Sequence, residues 1–143
     1  MKARSPEWEA LREEGQKRRA KFNQGLTSSD IREIAKSWVE NLDIDKAQSA
    51  SNDKVSTCIF DAAVGLKVIA LIWSHGLKKE NLSYLGVVVE DYLAIHGEAV
   101  IDQIEAFAER DQEFVNVLQY VYPNTMPKEV YRRVRALSGR KDA

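Results

Sequence analysis

The chain has a single cysteine, Cys58, among 143 residues, so no disulfide can form within it. A lone thiol suits a reducing compartment, and a cytoplasmic location is expected. Proline and glycine are scarce, at three and seven residues. A loop-rich or all-β fold needs more turn breakers than this, so helices are expected. Long apolar runs are missing too. The most apolar stretch, Phe60 to Trp73, is 14 residues long and contains Asp61 and Lys67. A spanning helix needs about 20 apolar residues, so the stretch reads as a buried helix and no membrane association is expected. Met1 to Glu7 has no apolar centre, which argues against a signal peptide. Also lacking are a Gly-rich phosphate loop, a Gly-x-Ser-x-Gly elbow, a His-Glu-x-x-His helix and a Cys-x-x-Cys pair. Neither histidine, His75 or His96, has a second histidine three or four positions away. No catalytic residue, metal or cofactor is therefore expected.

What remains is an ordinary globular mixture, 44% hydrophobic and 30% charged, at the length of one domain. The net charge is −1, but unevenly placed: +3 over residues 1–25, −8 over 26–127 and +4 over 128–143. An acidic body disfavours nucleic acid as the main ligand, because phosphate binding rests on lysine and arginine.

Helical periodicity runs through the chain. Ser5-Pro6-Glu7 is a start signal for a charged first helix, with Trp8 and Leu11 as the expected docking anchors. Thr27 to Asp30 opens a second, whose Ile31, Ile34, Ala35, Trp38, Val39 and Leu42 share one face. The polar stretch Asp43 to Asn52 reads as a connector. Asp53 can cap a third helix running to His75. Asn81 to His96 reads as a fourth, stopped by Gly97, and Glu98 to Arg110 as a fifth. Asp111 is expected to cap a sixth helix, and Pro127 to open a seventh. The expectation is an all-α, single compact domain of six to seven helices. These form antiparallel hairpins, with solenoid-like stacking from residue 53 onward as an alternative. Residues 1–25 form a charged helix or arm, 26–138 the helical domain, and 139–143 a polar tail. Residues 1–4 and 139–143 are expected to be disordered. The expected core is Trp38, Phe60, Leu66, Ile69, Trp73, Leu85, Val89, Leu93, Ile104, Phe107, Phe114 and Leu118.

The segment Leu85 to Leu137 carries the elements "G", "ED.L", "HGE", "ID.IE..A", then "D..F...L" and a late "M...V". They are Gly86, Val89, Glu90, Asp91, Leu93, His96, Gly97, Glu98, Ile101, Asp102, Ile104, Glu105, Ala108, Asp111, Phe114, Leu118, Met126 and Val130. In this the segment resembles the C-terminal part of a bacterial family classed only as a domain of unknown function, whose pattern reads "GPLEDLL", "HGE" and "ID.IE..A..DP.F...L". Val87 and Gln112 stand where that pattern has prolines, and Tyr120 and Tyr122 where it has a tryptophan. The resemblance implies a helical bacterial domain and supplies no catalytic residues.

Three constellations could carry function. Glu90, Asp91 and His96 are the most enzyme-like, but adjacent residues lie about 100° apart on a helix. His96 is better read as a C-terminal cap bonding a free carbonyl. Cys58 reads as a small core residue. Glu98, Asp102, Glu105 and Glu109 recur at spacings of four, three and four, so one face of the fifth helix is acidic, with no cation at i±3 or i±4 before Arg110. Read functionally, this stripe docks a protein with a basic surface. Lys17, Arg18, Arg19 and Lys21, with Arg132, Arg133 and Arg135, form basic clusters. These either neutralise the acidic body, within the chain or in a homo-oligomer, or mark a nucleic-acid accessory protein. The leading expectation is a non-enzymatic protein–protein interaction domain of the immunity or inhibitor type.

Overall fold

The computed structural model describes residues 5–45 and 50–139. Eight α-helices and no strand occur among them: α1 (Pro6–Gln24), α2 (Ser28–Asp45), α3 (Ala50–Cys58), α4 (Ala62–Ser74), α5 (Leu82–His96), α6 (Ile101–Arg110), α7 (Val115–Leu118) and α8 (Lys128–Ser138). The expected disorder of residues 1–4 and 140–143 lies outside the described residues. Gly139, at φ 68°, ends α8.

The helix starts follow local chemistry. Ser5 Oγ accepts from Trp8 N at 3.2 Å, with Pro6 in the first turn of α1. Thr27 and Asp30 cap α2 reciprocally: Thr27 Oγ1 accepts from Asp30 N, and Asp30 Oδ2 accepts from Thr27 N. The Thr27 amide and hydroxyl hold the Asp30 carboxyl below its ordinary range.

The expected third helix is two helices. Asp61 is extended at φ −104°, and its Oδ1 accepts from Val64 N at 2.9 Å, so it caps α4 and turns the chain at Ile59–Asp61. Asp53 lies inside α3 and opens nothing. Side chains of α5 bond carbonyls on both sides of this turn. The Tyr92 hydroxyl donates to Ala62 O, and His96 Nε2 lies 2.8 Å from Ile59 O. Asp111 also departs from expectation. It makes no side-chain cap; its Oδ2 accepts from Trp73 Nε1 at 2.7 Å, and a 3₁₀ turn, Gln112–Phe114, leads into the single-turn α7.

The helices enclose one core, so the solenoid alternative gives way to a compact domain. α2 lies on α3 and α4, α5 on α4 and α7, and α8 on α6 and α7. Two glycines permit this. Gly97 ends α5 at φ 30°, a conformation that side chains disfavour. A Cβ at Gly86 would sit 2.5 Å from Tyr120 Cβ, so only glycine lets α5 approach the end of α7 this closely.

Of the expected core, Trp38, Ile69, Leu85, Val89, Leu93, Ile104, Phe114 and Leu118 are buried. Leu66, Trp73 and Phe107 are half-buried, the two aromatics packing edge-on against Phe114. Phe60 is a correction: the turn at Asp61 leaves it 43% exposed. The docking of α1 is another. Trp8 and Leu11 are 49% and 68% exposed. α1 is held instead by Asn23, whose Nδ2 donates to Arg19 O and across to Thr57 O at 3.1 Å, and by Arg19, whose guanidinium lies 4.0 Å from the Phe60 ring centre.

Candidate functional site

The acidic stripe meets a cation within the chain. Glu98 lies in the 3₁₀ turn Gly97–Ala99, with Asp102, Glu105 and Glu109 on α6. Arg133 of α8 donates through Nη2 to Asp102 Oδ1 at 2.5 Å and through Nε to Glu105 Oε2 at 3.1 Å, with a further Nη2 bond to Glu105 Oε1. The stripe is therefore not unpaired at these two positions; Glu98 and Glu109 are exposed, and Asp102 stays exposed although it is paired. A window of ±4 residues cannot see a partner 31 positions away.

The basic residues are placed on two separate helices. Lys17, Arg18, Arg19 and Lys21 ride on α1, which packs on α3. Arg132, Arg133 and Arg135 ride on α8, which packs on α6 and α7. Arg18 reaches Glu14 at 4.0 Å, and Arg132 pairs with Glu129 at 2.5 Å. Arg135 lies 5.8 Å from the Tyr131 ring centre.

The enzyme-like group is occupied by structure. Glu90 accepts from Tyr122 N at 2.8 Å and Asn124 Nδ2 at 3.2 Å, and Asp91 lies 3.5 Å from the same Asn124 nitrogen. The adjacent carboxylates thus meet one turn despite their angular separation. Burial first, then the neighbouring Glu90, raises the Asp91 carboxyl above its ordinary range. His96 does bond a free carbonyl, but at the end of α3, not of its own helix. Cys58 is fully buried, and its thiol is pushed up to about 11 by burial and by Asp61. At neutral pH that disfavours the thiolate a nucleophile needs.

Two of the recesses in the structure are walled by helices far apart in the chain, and neither is expected from the sequence. The first is a cleft of about 270 Å³ between α2, α3 and α5. Trp38, Leu42, Val55, Ile59, Tyr84 and Val88 wall it, with Asn52 and Ser56 as polar insertions. Trp38 Nε1 donates to Asn52 Oδ1 at 3.3 Å and fixes the indole wall. Val87, 52% exposed, and Asp91 stand at its mouth. The second is a groove of about 480 Å³ between α1 and the α3–α4 turn. Arg12, Gln16, Arg19, Ala20 and Asn23 form its α1 side, facing Phe60, Asp61 and Ile95. Neither leaves a linear motif, because each is assembled from helices far apart in the chain. The nearest signal is Asp61 three residues before Val64, the spacing of a helix cap inside an apolar run.

Among the described residues no group of three or more His, Cys, Asp or Glu is placed to hold a metal ion. No described helix is long and apolar enough to cross a membrane. The chain belongs to a family of unknown function (DUF6869), whose model matches residues 33–141. The match begins within α2 and leaves α1 outside it. No curated protein and no solved structure matches the chain.

Proposed function

We propose that this protein is a non-catalytic protein-interaction domain. Its body seats an apolar side chain of the partner in the Trp38–Val88 cleft, with a basic group of the partner beside Asp91. The observation that carries this reading is the cleft itself: an apolar recess with convergent polar groups and an open mouth, the usual form of a binding site. Its lining residues all fall within the stretch matched to the family. Asp91 at the mouth, in a segment of balance −8, favours a basic neighbour for the apolar anchor. The engagement of His96, Glu90 and Cys58 in structural bonds or burial supports binding over catalysis. An inhibitor or immunity-type role would use such a surface. The acidic stripe, half taken by Arg133, is not assigned to the interface.

The test is affinity capture from the native cell with the wild-type chain and with Val87→Arg. The substitution crowds the mouth and opposes a basic partner, and Val87 is exposed enough for the fold to tolerate it. A protein held by the wild type and bound at least about tenfold more weakly by Val87→Arg is the expected result. Glu98→Lys with Glu109→Lys should leave that affinity unchanged. Equal retention by Val87→Arg overturns the assignment of the cleft.

A further inference from the structure

The α1 groove is separate from that cleft, and a different observation bears on it. Asn23 forms part of its wall and is only 5% exposed. Its Nδ2 is used twice, toward Arg19 O and Thr57 O, which fixes the amide's orientation. Its Oδ1 is buried and accepts no hydrogen bond. A buried acceptor without a donor is costly and rare in folded proteins. Around it the groove carries two guanidinium groups, Arg12 and Arg19, and two exposed apolar side chains, Phe60 and Ile95.

Arg19 is spread over the Phe60 ring rather than bound to a carboxylate, so its fork is held in place by an aromatic face. Arg12 reaches Glu9 only at 3.9 Å, between two half-exposed side chains, a contact of the kind that solvent readily replaces. The carboxylate within the groove, Asp61, has Oδ1 committed to Val64 N as the α4 cap. The groove thus offers a carboxylate-binding pair of arginines, one orphaned acceptor and an apolar ledge. One chemical unit has all three complements: the last residue of a peptide, with its terminal carboxylate, its own N–H and an apolar side chain.

We propose that the α1 groove binds the free C-terminus of a partner polypeptide that ends in an apolar residue. The terminal carboxylate pairs with Arg12 and Arg19, the terminal N–H donates to Asn23 Oδ1, and the side chain lies on Phe60 and Ile95. Bidentate arginine–carboxylate contacts orient the carboxylate as well as attract it.

The experiment is a nitrogen-15 NMR titration of the full chain with three synthetic hexapeptides. One ends in leucine with a free carboxylate, the second is the same peptide amidated, and the third is amidated with an internal glutamate. The free-acid peptide should bind at least about tenfold more tightly than either amidated form. It should move the Asn23 side-chain amide and the Arg12 and Arg19 Nε resonances. Arg12→Gln, on an exposed side chain, should remove most of that preference. Arg19→Lys should retain part of it, because charge is kept while the fork is lost. Equal binding of the free acid and the amide, or shifts confined to residues outside the groove, overturns the proposal. Equal binding of the internal-glutamate peptide also overturns it, since the site would then not read a terminus.

Discussion

α1 and α8 are both basic helices near the ends of the chain, yet they meet the domain in opposite ways. α8 buries Val130, Tyr131 and Val134, and its Arg133 takes two α6 carboxylates. α1 buries only Asn23, leaves Trp8 and Leu11 exposed, and touches the body through an amide and a guanidinium–ring contact. Both carry net positive charge, +1 for α1 and +3 for α8, so the sign of the charge does not separate them. Apolar spacing does: Val130, Val134 and Leu137 recur every three or four residues and give α8 one continuous stripe, whereas α1 has Trp8 and Leu11 and then nothing large until Phe22. A helix without a stripe attaches by polar contacts, and polar contacts leave grooves.

Several substitutions would sharpen or break this contrast. Ile104→Ala, at a fully buried α6 position, should cost about 2–5 kcal/mol in urea unfolding through lost burial and a residual cavity. Removing residues 1–14, by contrast, should cost much less. A comparable loss from that truncation would show that α1 belongs to the core after all.

Asn23→Ala removes the amide that joins α1 to Thr57. A loss of about 1–2 kcal/mol is expected from the two hydrogen bonds that Asn23 Nδ2 makes to Arg19 O and Thr57 O. Amide exchange should show α1 opening while α8 keeps its protection. Parallel loss of protection in both helices would break the comparison.

Alkaline pH should act on the body and spare the arm. Cys58 is raised from 9.0 to about 11 and Tyr92 from 10.0 to about 12, each chiefly by burial. In that window the unfolded chain has released protons that the folded chain still holds, so rising pH favours unfolding. The urea midpoint should fall between pH 9 and 11, and less so in Cys58→Ala. A midpoint that does not move over this range would contradict the burial of both groups.

The smallest effect is expected at Trp8 and Leu11. Replacing both with alanine should change stability by less than about 0.5 kcal/mol per site, as exposed positions do. A larger loss on thermal unfolding would mean that these side chains are packed in solution.

Much of the fold was legible. The caps at Ser5 and Thr27, the α2 stripe, the stop at Gly97 and the burial of Leu85, Val89, Leu93 and Ile104 follow from chemistry within a few residues of each position. Asp61 was legible in principle, but the apolar residues on both sides of it masked a cap as an interruption. The site was not legible. Trp38 and Asp91 lie on α2 and α5, and Arg12 and Ile95 on α1 and α5; nothing local links either pair.

The sequence by itself determined that this chain is helical, that its middle is acidic, and which faces of α2, α5, α6 and α8 are apolar. Periodicity, caps and composition are short-range properties, so one dimension is enough to read them. Tertiary structure alone decided that Arg133 would take Asp102 and Glu105 and that Phe60 would face a groove instead of the core. It also left Asn23 Oδ1 without a donor. Each of these depends on how helices distant in sequence are set against one another. That placement follows from the packing of the whole core, and no local window contains it.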